Sequence, residues 1–247
     1  MDYITAKSRL LESYPFGEID LLSTVPETHN EPSIENGSQV CIAASASSSV
    51  RCSENVRALR GQNKMTADGE GNLIVVGRNT TFENSLIQVN GRNCAVIIGD
   101  DCRIRGLKIV VRREGSMVFV GSKTTWESGA IISESGDIVA LGTDCMVSNS
   151  VVLRTSDGHT IFDAGTKQPI NRSADVFVGH HVWLGNSCRI NKGTRIGVGS
   201  VIGQCSIASG ALEGNSIYAG APARKVKEGI VWSRTTKYED IPHQFIL

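Results

Sequence analysis

Between residues 178 and 212 the apolar positions recur every six residues. Val178, Leu184, Ile190, Ile196 and Ile202 mark the period, and Ala208 continues it with a smaller side chain. A glycine or other small residue commonly follows each start (Gly179, Gly185, Asn191, Gly197, Gly203, Ser209). Four places after each start stands a residue of modest size: Val182, Cys188, Thr194, Ser200, Ser206 and Leu212. Helices repeat at 3.6 residues and strands at two, so a period of six is neither alone. It predicts a β-solenoid. Each hexapeptide makes one short strand and one corner, and three make a coil of about 18 residues. Coils stacked at about 4.8 Å bury their apolar edges only against one another.

The same register runs earlier with interruptions. Val76-Gly77, Ile98-Gly99, Val120-Gly121 and Leu141-Gly142 open segments 22, 22 and 21 residues apart. Phe82, Ile104, Trp126, Ile132, Val147 and Leu153 fall on hexad continuations. These coils exceed the ideal length, and the excess predicts longer corners. The next start, Val178, comes 37 residues after Leu141, so one coil carries a long excursion from Ser156 to Ala174. Long loops on repeat scaffolds commonly carry function. The organisation expected is an all-β parallel β-helix over 73–220 with the excursion at 156–174. Residues 1–72 read as an N-terminal cap or irregular opening coils, and 221–247 as a C-terminal cap holding Trp232, Tyr238 and Phe245.

Composition narrows the function classes. Lys+Arg and Asp+Glu both number 25, which offers nothing to a general nucleic-acid binder. No apolar run is long enough to span a membrane, and the opening MDYITAKSRLLESYPFGEIDLL reads as a short amphipathic helix, not a targeting signal. The expectation is a cytoplasmic protein. Of the seven cysteines, Cys102, Cys145 and Cys188 fall four places after a repeat start, where a thiol fills space as a small apolar group. No CxxC pair exists, and the adjacent His180 and His181 should diverge and face solvent or a subunit interface, so no metal site is expected.

The excursion contains Ser156-Asp157-Gly158-His159. The chain returns through Asp175-Val-Phe-Val-Gly-His-His-Val-Trp183-Leu-Gly185, and the repeats end at Tyr218-Ala-Gly-Ala-Pro222-Ala. From about residue 140 to 227 this resembles the hexapeptide-repeat O-acetyltransferases of bacterial polysaccharide biosynthesis, including the polysialic acid O-acetyltransferases of capsules. The resemblance implies left-handed coils, a homotrimer with active sites between neighbouring chains, and direct acetyl transfer from acetyl-CoA to a sugar hydroxyl of a surface polysaccharide or its precursor. It implies His159 as general base, a role suited to imidazole near neutral pH. It implies Trp183 on a neighbouring subunit, with its backbone amide holding the oxyanion and its indole shaping the acceptor pocket. Asp157 or Asp163 is expected to orient the imidazole.

The donor site follows from the architecture the resemblance implies. Acetyl-CoA would lie along the solenoid towards its C-terminal end, its pantetheine arm against the small outward residues Gly185, Ser206, Ala208 and Ala219. Its phosphates would meet cations among Lys192, Arg195, Arg224, Lys225 and Lys227. Two other classes stay open. An N-acyltransferase acting on an amino sugar nucleotide or small amine would use the same base, and a non-catalytic solenoid would use none of these residues chemically.

Overall fold

A computed structural model of the chain describes residues 1–20, 22, 32–35 and 37–246. His29 lies outside the described residues. The hexad pattern becomes three parallel sheets that form the faces of a prism. Among the described residues face I holds ten strands, from Ser33–Ile34 to Ala223–Glu228, and faces II and III hold eight each. The coils wind left-handed, against the right-handed habit of parallel crossovers. Residues 33–70, which the sequence leaves as opening coils or a separate cap, pair in parallel into the same three sheets.

The register read from the sequence is the register of the ladder. On face III, Val76, Ile98, Val120, Leu141, Val178, Ile196 and Leu212 stand opposite one another in turn. Their side chains point inward and are buried, as are Val182, Cys188, Thr194, Ser200 and Ser206 in the second inward column. Burial pushes the thiols of Cys102, Cys145 and Cys188 up to about 12, so they act as neutral filler.

Two expectations need correction. The extra residues of the longer coils lengthen strands, not corners: face II has Leu86–Arg92 and Leu107–Glu114 where the later coils have only Arg189–Ile190 and Ile207–Ala208. Ile132 is not an inward position. Ile131 opposes Leu153 and is buried, while Ile132 points outward, because a one-residue offset flips a strand's side chains.

Corners are made by residues in the left-handed conformation. One column at the edge between faces III and I runs Asn55, Asn79, Asp101, Lys123, Asp144, His181, Gly199, Asn215, with φ from 48° to 70°. Short polar residues tolerate that conformation best, and their side chains stack: Asn55 Nδ2 donates to Asn79 Oδ1 at 3.2 Å, and Asn79 Nδ2 to Asp101 Oδ1 at 3.0 Å.

The N-terminal helix, Tyr3–Ser13, lies against the outside of face III. Asp2 caps it, its carboxylate accepting from the Thr5 amide at 2.8 Å. Tyr3, Ala6 and Leu10 pack with Tyr14 and Ile19 on Val75, Ile97, Phe119, Ala140 and Phe177. The Arg9 guanidinium donates to the Gly115 and Gly136 carbonyls, and the Tyr14 hydroxyl to Val178 O at 2.7 Å. At the other end Ser216–Gly220 and Ala223–Glu228 form an antiparallel hairpin that finishes face I.

Candidate active site

The excursion leaves face II after Val151–Arg154 and rejoins face III at Val176–Val178, so it replaces one corner. It is an internally bonded finger. Phe162 and Pro169 form an antiparallel bridge, Asp163 N donates to Gln168 O at 2.9 Å, and Ile170 N to Ile161 O at 2.9 Å. The Asp163 carboxylate builds the tip by accepting from the Thr166 amide and hydroxyl at 2.7 and 2.9 Å, which holds it below the usual carboxylate range. At the base Asn171 is the tie. Its Nδ2 donates to Asp157 Oδ2 at 2.9 Å and to the His159 carbonyl at 2.8 Å, and its Oδ1 accepts from the Ile161 amide.

His159 stands exposed at the lip of a cleft of about 500 Å³ lined by Arg113, Glu134, Ser156, Asn171 and Arg172. Ser156 Oγ donates to the nearly buried Glu134, which fastens the finger to the solenoid. Neither acid expected to orient the imidazole does so. Asp157 turns to Lys192 and Asn171, which lower its pKa, and Asp163 serves its own turn. What the finger fixes is the backbone of His159; its ring is left open to the cleft.

Trp183 lies elsewhere. It begins a short strand on face I and lines a second cleft of about 320 Å³ with Ser148, Gly185, Asn186 and Gln204. The residue is 36% exposed. The expected oxyanion donor, its backbone amide, is taken: it donates to Ser200 O at 2.9 Å in the ladder between coils. The polar group that Trp183 presents outward is its indole Nε1–H, held only by a long 3.5 Å contact to Ser148 Oγ. Within one chain, then, His159 and Trp183 occupy different clefts on different faces.

The residues proposed for the donor separate in the same way. Ser206 and Ala208 are fully buried in the two inward columns, so neither presents an outward surface. Gly185 lines the Trp183 cleft, and a side chain there would meet Ile202 O at 2.6 Å. Lys192 belongs to the finger: its Nζ donates to Asp157 and, at 2.8 Å, to Asn171 O. Arg195 sits over the Phe177 ring. Ala219 opposes Arg224 across the closing hairpin, and Lys225 is paired with Glu213 and Glu228.

The adjacent histidines do not face solvent. His180 Nδ1 accepts from the Thr143 amide at 3.1 Å and Nε2 donates to Phe16 O at 3.0 Å, so its neutral ring holds the segment after the N-terminal helix. Burial keeps its pKa below the ordinary value. His181 is buried under the C-terminal tail. The sequence shows that these residues sit at a corner; what covers a corner comes from the distant termini.

No known family profile matches the chain. It is similar to the polysialic acid O-acetyltransferase of Neisseria meningitidis, 34% identical over 188 residues, which covers 74% of this chain and 86% of that protein. The polysialic acid O-acetyltransferase of Escherichia coli O1:K1 / APEC is 35% identical over 130 residues, 53% of this chain, and the match spans 42% of that relative's length. Among solved structures, the polysialic acid O-acetyltransferase OatWY superposes with a TM-score of 0.69 at 29% identity, covering 83% of this chain and 93% of that one. The polySia-specific acetyltransferase NeuO gives 0.64 at 28%, covering 84% and 91%.

Proposed function

The chain belongs to the family of the polysialic acid O-acetyltransferases, and from that premise we propose that it moves an acetyl group from acetyl-CoA to a sugar hydroxyl of a capsular polysaccharide. His159 takes the hydroxyl proton as the oxygen attacks the thioester carbonyl. The C–S bond breaks as the new C–O ester bond forms, and the proton passes from the imidazole to the departing CoA thiolate. No acyl-enzyme is needed. The oxyanion is held by the indole Nε1–H of Trp183, because the ladder already uses that residue's amide.

The observation that carries this reading is the separation of the two clefts. His159 and Trp183 serve one reaction only if they meet across chains, which is the arrangement of a homotrimer. Two features support assembly. The finger presents Ile161, Phe162 and Ile170 at 55, 59 and 63% exposure on a bonded, ordered frame, and large apolar groups displayed this way mark a contact surface. Face III is covered by the chain's own helix, whereas face II keeps Leu86, Val110, Ala130, Ile132 and Val152 on its outer side.

The test is transfer to purified capsular polysaccharides, with the ester located by NMR, by wild-type and His159→Ala proteins. The variant should lose about 10²–10⁴-fold in kcat with acetyl-CoA binding unchanged. Wild-type turnover by the variant, with chemistry rate-limiting, would overturn the assignment of the base. Acetylation of amines but not hydroxyls would move the reading to N-acyl transfer.

A further inference from the structure

The C-terminal tail closes on the solenoid through a buried histidine that the chemistry does not use. His181 takes the left-handed corner position, φ 50°, next above Asp144 in the same column. Only 1% of it is exposed. Its Nδ1 lies 2.7 Å from Asp144 Oδ2 and its Nε2 lies 3.0 Å from the Trp232 carbonyl. Both neighbours are acceptors, so the ring satisfies both only when each nitrogen carries a proton. The ring stacks between Trp232, with centroids 4.0 Å apart, and Phe245, at 4.5 Å, both within 9° of parallel. The Trp232 indole returns a bond to the His181 carbonyl at 2.8 Å.

Arg234 completes the closure. It donates to Asp144 Oδ1 at 2.9 Å, to Cys145 O at 2.9 Å and to Thr125 Oγ1 at 2.8 Å. The titratable groups around the ring are therefore Asp144 and Cys145 from the solenoid and Arg234 from the tail. Burial alone would raise Asp144, but His181 and Arg234 outweigh it and hold the carboxyl below its usual range. The Cys145 thiol stays neutral.

Trp232 also meets Trp183: their ring centroids are 6.0 Å apart at 46°. Otherwise the exposed indole of Trp183 is restrained by one long contact, to Ser148. A sugar stacking on an indole, or an oxyanion reaching its N–H, needs the ring's tilt fixed. We propose that Trp232 is a positioning residue for acceptor use: the tail, fastened around His181, backs the Trp183 indole and sets its tilt. This rests on the reading of Trp183 as part of the site. Trp232 is itself nearly buried and acts through Trp183.

The test has one arm that needs no activity. Asparagine already takes this corner conformation at Asn55, Asn79 and Asn215, so His181→Asn removes the ring and keeps the turn. In Trp232→Phe protein the emission open to a quencher is that of Trp183, because Trp126 is fully buried. Adding His181→Asn to Trp232→Phe should roughly double acrylamide quenching as the tail loosens, with amide exchange in the solenoid unchanged. In the second arm, Trp232→Ala should raise the acceptor KM roughly ten-fold and leave the acetyl-CoA KM unchanged, and Trp232→Phe should keep near-wild-type kinetics. Unchanged quenching, or an unchanged acceptor KM in Trp232→Ala whose tail exchange shows it undocked, would overturn the proposal. If wild-type protein acetylates no sugar hydroxyl, the functional reading fails by itself, and quenching alone decides whether the tail holds Trp183.

Discussion

At Trp183 two demands fall on one residue. The ladder between coils takes its amide, and the proposed reaction asks for a donor from the same residue. Trp183→Phe separates them, since it keeps the amide and a ring but removes the indole N–H. The expected loss is about 10²–10³-fold in kcat, the usual effect of one oxyanion donor, measured with donor and acceptor saturating. Wild-type kcat would return the oxyanion role to another group. His180 makes a different prediction. Its neutral ring accepts one backbone N–H and donates to Phe16 O, and burial depresses its pKa in the folded protein. The unfolded chain therefore binds a proton first as pH falls, so this stabilisation is full above about 6.5. It is lost as pH drops from there through the depressed folded value. Amide protection in residues 3–16, relative to the unfolded chain at the same pH, should fall over that window in wild-type protein and show no such step in His180→Gln.

The N-terminal helix is the element that most changes the sequence picture. Leu10 is fully buried between the helix and face III. Leu10→Ala should cost about 2–5 kcal/mol of stability, read as a shift in the urea midpoint, whereas Leu11→Ala, partly exposed, should cost little. The sequence contained a sign of this packing. Leu73–Val76, Ala95–Ile98, Met117–Val120 and Ile138–Leu141 are unbroken apolar runs, and a strand covered on one side only would alternate. A second layer had to cover face III, and the amphipathic opening of the chain was the available segment. The hexads were legible because each start makes the same inward contact in every coil. The placement of Ile132 was not, because one residue of offset in a longer strand leaves the six-residue count intact and reverses the side chain. The finger was legible from the length of the interruption. The partners of Asp157 and the covers of His180 and His181 were not, since they depend on contacts between residues 14 to 164 apart in the chain.

For the whole molecule the claim is that each site takes His159 from one chain and Trp183 from the next. The finger's apolar tip gives assembly its own handle. Phe162→Asp places a charge where the account puts a subunit contact, and sedimentation should show it shifting a trimer towards monomer at micromolar concentration, with activity falling in parallel. Subunit mixing tests the shared site most directly. His159→Ala and Trp183→Ala chains, each nearly inactive alone, are co-expressed under different tags, and trimers carrying both tags are isolated. Every mixed trimer then holds one interface of three with both native residues, so the isolated mixed trimers should return about a third of the wild-type rate. Mixed trimers as inactive as either parent would contradict the account.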